Sequence, residues 1–171
     1  MLTLEEMLIR LGVAIFLGAI VGWEREVVGK EAGIRTDIVV SAGAALFAMA
    51  SIMVPYLITP DEATALQVII NSSSLHIISN VVVGVGFLGA GIIIHQGSRV
   101  HGLTTAASVW FVAAIGVLAG IGLMTFAAIS TVGLTVLLVI LRKIDLYGMV
   151  GETKKSKITS TKSQKNQKLQ T

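Results

Sequence analysis

The chain has 171 residues, of which 54% are apolar and only 13% are charged, and its mean hydropathy is +0.84. Average soluble domains are about one quarter charged, so this composition excludes an ordinary water-soluble fold. The apolar content also excludes a disordered chain. Because the sequence contains no cysteine, disulfide frameworks, thiolate metal sites and thiol nucleophiles are excluded as well. The remaining class is a protein folded in a lipid bilayer.

Long uncharged tracts predict the membrane spans, because a helix needs about 20 apolar residues to cross a bilayer. Three tracts contain no Asp, Glu, Lys or Arg: residues 38–60, 63–98 and 100–141. In chain order, the predicted spans are residues 4–22, which Arg10 interrupts, then one span in 38–60, one over 75–94, and two in the third tract. The last two are separated by an expected break at Gly120-Ile121-Gly122. The sequence therefore predicts an all-α bundle of five transmembrane helices.

The basic residues predict the orientation of this bundle. Of the 13 lysines and arginines, all except Arg10 lie after the first span, before the fourth span or after the fifth. These regions share one side of a five-span bundle, and that side should be cytoplasmic. We therefore expect a multi-pass plasma-membrane protein with its N-terminus outside and its C-terminus in the cytoplasm. The same distribution explains the net positive charge without nucleic acid as a partner.

The sequence divides into a five-helix transmembrane domain, residues 1–144, and a basic cytoplasmic tail, residues 145–171. The tail is rich in Lys, Ser, Thr, Gln and Asn, and it contains too little apolar surface to fold, so we expect it to be disordered. Its lysines could remain solvated or could contact anionic lipid headgroups.

Glycines recur at helical spacing within the predicted spans. Residues 84–89 fit the dinucleotide pattern GxGxxG, but they lie inside an apolar span without a following acidic residue before Asp145, so nucleotide binding is not expected. In lipid, small residues instead let helix backbones approach closely. Such packing is expected at Gly18, Gly22, Gly84, Gly86, Gly89, Gly91, Gly116 and Gly120. We expect a homo-oligomer formed through a small-residue face, although exposed backbone carbonyls could also line an ion path.

One ionisable residue, Arg10, lies at membrane depth, where a charge is costly. It could extend to the interface and pair with Glu6, which lies four residues earlier on the same helix face. Alternatively, it could point inward and form an intramembrane polar cluster with His76 and Asn80, which are also four residues apart. This cluster is the sharper hypothesis.

Polar residues also converge on the predicted cytoplasmic side. The candidates for functional or partner contacts are Glu24, Arg25, Glu26, Arg35, Thr36, Asp37, Thr104 and Thr105. Asp37 could cap the second span, and Thr104 or Thr105 could cap the fourth. Glu24, Glu26 and Asp37 could alternatively offer oxygen ligands to a hydrated Mg²⁺, although ion pairing with the nearby basic residues is the more ordinary outcome. Otherwise no cofactor is expected.

The remaining polar residues do not form a catalytic centre. The serines lack a histidine base at a plausible depth, the three histidines do not form a known ligand motif, and the sequence contains no P-loop. We therefore expect a protein that is not an enzyme.

Four ordered segments together strongly resemble the MgtC/SapB family. They are residues 22–26 (GWERE), 29–37 (GKEAGIRTD), 84–91 (GVGFLGAG) and 102–110 (GLTTAASVW). The resemblance covers about residues 4–142. It implies a bacterial plasma-membrane protein connected with growth at low Mg²⁺ and, in pathogens, with survival inside host phagocytes. The family's ERE and AGIRT motifs map onto residues 24–26 and 32–36, and Arg10 fits the family pattern in the first span.

Two activities are compatible with this resemblance. The preferred one is a non-enzymatic protein that supports adaptation to Mg²⁺ limitation by modulating another integral membrane protein. In that case Arg10 and Asn80 would hold the bundle together, and the cytoplasmic set would form the contact surface. The alternative is a transporter or channel for Mg²⁺ or another cation, with Asp37 and Glu26 near its inner mouth. A third possibility is a purely structural oligomeric scaffold.

The sequence departs from the family pattern at three places. Family members often carry Arg and Gln where this chain has His76 and Asn80. The residue after the Arg-Thr pair varies, so the resemblance does not make Asp37 a shared ligand. Longer members end in a small cytoplasmic domain, which this chain is expected to lack as a short form.

Overall fold

The computed structural model describes residues 2–59, 64, 67, 73–96 and 99–143, with the backbone alone at 73–75, 95, 96 and 99. Its helices are α1 (Leu4–Val27), α2 (Ile34–Ile58), α3 (Ser73–Ile92), α4 (Leu103–Gly120) and α5 (Met124–Lys143). Thr64 and Gln67 are helical as well. The prediction of an all-α bundle is confirmed.

A short antiparallel hairpin between α3 and α4 was not predicted. It consists of β1 (Ile94–Gln96) and β2 (Arg99–His101), with Ile94 paired to His101 and Gln96 paired to Arg99. The third span was expected to reach residue 94, but α3 ends at Ile92. Gly102 then adopts a φ of +82°, a left-handed conformation that favours glycine, and is the N-cap of α4.

The described residues up to 133 belong to one compact unit, and residues 134–143 belong to a second unit. The first contains α1 to α4 and the start of α5. In the second, residues 134–143 continue α5 as a helix. The predicted disordered tail, residues 145–171, lies outside the described residues.

Within the first unit, α1, α2 and α4 pack against one another, and α3 packs on α2 and α4. Helix α1 runs antiparallel to α2, since Gly22 lies against Ile34, whereas the Ser41 Oγ, further along α2, donates a 2.8 Å hydrogen bond to the Ala14 carbonyl. Helix α4 runs parallel to α2, because Gly116 lies against Ser41 and Gly120 lies against Ala45. Helix α1 therefore runs opposite to both α2 and α4.

Among the described residues, three helices are long and apolar enough to cross a membrane: α2, α4 and α5. The apolar part of α3, His76–Ile92, is shorter, and α1 carries several charged residues. The five-span count therefore stays a prediction for α1 and α3. The break between the last two spans is where it was expected, because α4 ends at Gly120 and Gly122 has a φ of +97°.

Helix α1 begins at Leu4, as expected, but continues beyond the expected end at residue 22. The helix begins with a capping box, in which the Thr3 N–H donates to Glu6 Oε2 at 2.8 Å and the Glu6 N–H donates to Thr3 Oγ1 at 3.2 Å. The Glu6 carboxylate therefore accepts a hydrogen bond at the N-terminus of α1. At its other end α1 continues to Val27 and carries Glu24, Arg25 and Glu26 on helical backbone.

Candidate functional site

Charged residues are buried where the end of α1 meets the start of α2. Asp37 is fully buried, and Arg25 is only 3% exposed and forms an ion pair with Glu24. Both carboxylate oxygens of Asp37 and the Oε1 of Glu24 are buried and lack a hydrogen-bond partner in the described part of the chain. Burying a carboxylate in this way costs free energy, so Asp37 needs an explanation beyond packing.

Glu26, and not Asp37, caps α2. The N-cap residue is Gly33, which has no side chain to offer, and the Ile34 N–H donates to Glu26 Oε2 at 3.0 Å. The predicted capping role of Asp37 is wrong because α2 begins at Ile34, which places Asp37 a full turn inside the helix. There its own N–H donates to the Gly33 carbonyl at 3.1 Å.

A long-range hydrogen bond fastens the α1–α2 loop to α4. The hydroxyl of Thr105 donates to Glu31 Oε2 at 2.6 Å, and the Thr105 side chain is buried. This bond holds the pKa of Glu31 below its usual value of 4.5. The predicted capping role of Thr104 or Thr105 is wrong, since Gly102 is the N-cap of α4 and accepts from the Ala106 N–H at 2.8 Å.

Sequence reasoning missed Glu31 as a site residue. Its partner Thr105 is 74 positions away, and no local spacing relates the two residues. The signal that could have identified Glu31 is that both residues lie in segments that resemble the family, residues 29–37 and 102–110.

A polar pocket of about 320 Å³ opens beside the start of α2. Its lining residues are Glu26, Lys30, Gly33, Arg35 and Thr36. The structure therefore brings together three of the predicted contact residues, Glu26, Arg35 and Thr36, and adds Lys30, which the sequence analysis did not select. Thr104 is exposed at the start of α4.

The three carboxylates proposed as Mg²⁺ ligands are used in different ways. Glu24 pairs with Arg25, Glu26 accepts from the Ile34 N–H, and Asp37 is buried within α2. Over the described ranges, no three His, Asp or Glu side chains come together as a group that could hold a metal ion. The predicted ligand set of Glu24, Glu26 and Asp37 is therefore not assembled.

Arg10 lies at the end of α4 rather than in the predicted cluster. Its Nη1 donates to the Gly120 carbonyl at 2.9 Å, and its guanidinium lies beside Gly122. A cation at this position complements the negative end of the helix dipole. The buried Nε has no partner among the described residues.

His76 and Asn80 lie elsewhere. Both are exposed on α3, and Asn80 borders an apolar groove of about 450 Å³ between α2 and α3. The described parts of α1 and α3 share no extended contact, since each packs on α2 and α4 instead. The predicted cluster of Arg10, His76 and Asn80 is therefore not formed by these residues.

The glycines predicted to pack helices fall into two groups. A Cβ on Gly18 would lie 2.7 Å from the Asp37 carbonyl oxygen, and one on Gly120 would lie 2.6 Å from that of Ala45. Gly22 and Gly116 meet backbone atoms just as closely, at Ile34 and Ser41. On α3, Gly89 makes an ordinary contact with Ala106, whereas the expected packing is absent at Gly84, Gly86 and Gly91, where a Cβ would meet no described atom within 4 Å.

The buried hydroxyl groups of the first unit are used to bond helix backbone. Ser41 donates to the Ala14 carbonyl, Ser51 to the Ala48 carbonyl at 2.7 Å, and Ser108 to the Thr105 carbonyl at 2.8 Å. These hydroxyls satisfy their own hydrogen-bonding needs inside an apolar interior. The Ser41 bond joins α2 to α1, whereas Ser51 and Ser108 bond to carbonyls of their own helices, so none of the three hydroxyls is left as a free donor.

The apolar helices, their backbone-close packing and the polar end of the bundle define a helical membrane protein. A profile of the MgtC family matches residues 11–147. The chain belongs to the MgtC family, which confirms the resemblance found in its motifs.

Curated relatives agree with this assignment. The chain is 41% identical to Protein MgtC of Brucella abortus over 119 residues, which are 70% of this chain and 44% of that protein. It is 38% identical to Protein MgtC of Salmonella typhimurium over 125 residues, 73% of this chain and 48% of the relative. An uncharacterized protein of Synechocystis is 36% identical over 143 residues, covering 84% and 55% of the two chains. The chain thus spans about half the length of the curated relatives it matches. No solved structure matches it.

Proposed function

We propose that this protein supports adaptation to Mg²⁺ limitation in the bacterial plasma membrane by modulating another integral membrane protein, without enzymatic activity. Family membership supports the physiological setting. The observation that carries the mechanism is the hydrogen bond between Glu31 and Thr105, which holds the α1–α2 loop on α4. A loop fixed in this way holds Lys30 beside Arg35 and Thr36 at the start of α2. The three side chains then form a preorganised polar surface, which suits recognition of a partner.

The interior supports this role over transport. The buried serines of the first unit donate to backbone carbonyls, whereas a cation path needs polar atoms free to replace the ion's hydration shell. We place the polar surface on the cytoplasmic side of a five-span bundle with its N-terminus outside. Homo-oligomerisation through a glycine face belongs to the same proposal.

The second candidate is a cation transporter or channel. Asp37 favours it, because both of its carboxylate oxygens are buried and without a hydrogen-bond partner among the described residues. An unpartnered carboxylate at a helix interface would be a natural place for a passing cation.

A complementation experiment tests the preferred function. In a strain lacking its own MgtC-family protein, the wild-type chain should restore growth at low Mg²⁺, and Arg35→Gln should lose most of that rescue at equal membrane abundance. Arg142→Gln, which removes an equally exposed charge from α5, is the matched control. Loss of growth only in proportion to lost protein would support a structural scaffold instead.

A flux assay separates the two candidates. Purified protein in liposomes should give no Mg²⁺ flux above that of empty liposomes, and Asp37→Asn should change nothing. Robust flux that disappears in Asp37→Asn would overturn the modulator proposal in favour of transport.

A further inference from the structure

We propose that the polar pocket beside α2 binds the phosphodiester headgroup of a membrane phospholipid. The proposal concerns a ligand that the modulator role does not require. Of the function proposed above, it uses only the placement of this end of the bundle at a membrane surface. The pocket volume of about 320 Å³ falls within the range of about 300–1,000 Å³ typical of small-molecule sites.

The two cationic side chains of the pocket are available to an anion. Lys30 and Arg35 both line it and are both exposed. Within the described residues, the ion pair is made by Arg25 with Glu24, and neither Lys30 nor Arg35 forms a salt bridge. The lowered pKa of Glu31, which the Thr105 hydrogen bond mainly causes, also reflects the charge of the neighbouring Lys30. Arg and Lys are the side chains that most often bind phosphate, through charge-assisted hydrogen bonds.

Backbone donors converge on the same space. Glu26 satisfies the Ile34 N–H, but Gly33 offers no capping side chain, so the next N–H groups of α2, at Arg35 and Thr36, have no partner in the described part of the chain. A helix start with free N–H groups favours an anion. The Thr36 hydroxyl adds a further donor at the pocket wall.

The carboxylate of Glu26 favours a lipid phosphodiester over a free phosphate ion as the ligand. It lines the pocket and would repel a doubly charged free phosphate. A phosphodiester carries a single negative charge, and an ethanolamine headgroup also carries an ammonium that a carboxylate attracts. The pocket therefore suits a zwitterionic phosphoethanolamine headgroup, with its phosphate at Lys30 and Arg35 and its ammonium at Glu26.

Trp23 independently indicates the depth of the pocket. It lies on α1 one turn before Glu26, and its side chain is 67% exposed. Exposed tryptophans of membrane proteins concentrate at the level of the lipid headgroups. The pocket is therefore next to the phosphodiesters of the surrounding bilayer.

Native mass spectrometry of the full chain, purified in a mild detergent and stripped of lipid, tests the proposal with added phosphatidylethanolamine. The wild type should bind one lipid per chain. The double variant Lys30→Gln/Arg35→Gln should bind about tenfold more weakly or worse, since it loses two charge-assisted contacts. Arg142→Gln/Lys143→Gln, which removes the same charge from the end of α5, should bind within about twofold of wild type. Thermal unfolding midpoints show that each variant is folded, and Thr36→Val provides a milder pocket variant if the double variant is not.

Two further arms identify the source of the phosphoryl group. Glu26→Gln should weaken phosphatidylethanolamine but not phosphatidylglycerol, which has no ammonium, and this result would support the zwitterionic assignment. Millimolar inorganic phosphate should not displace the lipid, and binding of free phosphate without lipid would overturn the lipid assignment. Equal weakening in the pocket and control double variants would overturn the site. Because the assay uses purified protein alone, its failure would leave the proposed partner contact untouched.

Discussion

Glycines on α4 and glycines on α3 look alike in the sequence and do different things in the structure. Gly116 and Gly120 lie on α4 against the backbone of α2, so that any side chain there would collide with a carbonyl oxygen. Gly84 and Gly86 lie in a similarly apolar helix, yet a Cβ on either would meet no described atom within 4 Å. Spacing alone therefore does not say which glycines a fold depends on. The direction of approach of a neighbouring helix decides it.

The contrast separates a tightly packed region from an open one. The close backbone contacts join α1, α2 and α4, while α3 exposes glycines together with Phe87, whose side chain is 85% exposed. In lipid, exposed small residues let a further helix approach closely. If the proposed homo-oligomer forms, α3 offers the open face for it.

The largest expected effect separates the two glycine groups directly. Gly116→Ala places a methyl group on the Ser41 carbonyl and should lower the free energy of unfolding by about 3 kcal/mol. Gly86→Ala, the matched control on α3, should be neutral or slightly stabilising because alanine favours helix. Unfolding by SDS in mixed micelles measures both variants. Equal destabilisation by the two would remove the distinction between the regions.

A second, smaller effect tests how α1 is tied to the end of α4. Arg10→Met keeps most of the side-chain length but removes the hydrogen bond to the Gly120 carbonyl, which should cost about 2 kcal/mol in the same assay. Asn80→Leu on the open helix should have little effect, since Asn80 borders an apolar groove. Strongly non-additive effects in the double variant Arg10→Met/Asn80→Leu would mean that the two residues interact, as the polar cluster expected from the sequence requires.

The smallest expected change in stability concerns the α1–α2 loop, which the Thr105–Glu31 hydrogen bond holds on α4. Thr105→Val removes the hydroxyl donor to Glu31 and should cost about 1 kcal/mol at neutral pH, whereas Thr104→Val at the exposed neighbouring position should cost almost nothing. The pKa of Glu31 is lowered in the folded state, so its contribution to stability is complete above the ordinary value of 4.5 and is lost as the pH falls through the lowered value. The difference between wild type and Thr105→Val should therefore shrink below pH 4.5. A difference that does not change with pH would exclude the ionised form of Glu31 from the bond.

Much of the fold could be predicted because hydropathy is a property of the sequence itself. The uncharged tracts gave α2, α4 and α5, and the break at Gly120-Ile121-Gly122 coincided with a turn that glycine permits. The hairpin of residues 94–101 was missed because its strands have only three residues each, which is too short for a periodic pattern.

Several residues of the site could be predicted from the sequence, but the groups with which they form hydrogen bonds could not. Glu26, Arg35 and Thr36 were selected because charges at a helix boundary are uncommon in a chain this apolar, and the structure gathers them around one pocket. The capping roles expected for Asp37 and Thr105 were wrong, because both helices begin several residues earlier than the sequence suggested and their N-caps are Gly33 and Gly102. The partner of Arg10 depends on how α1 crosses α4, which no local pattern encodes.

The bond between Glu31 and Thr105 also has a consequence for biosynthesis. Glu31 is synthesised 74 residues before Thr105, whose hydroxyl donates the hydrogen bond that holds the loop on α4. The α1–α2 pair is therefore synthesised before this bond can form, and the loop reaches its final form only after α4 packs beside it. A nascent chain stalled before residue 105 should accordingly expose this loop to protease, while a chain released after α4 should protect it.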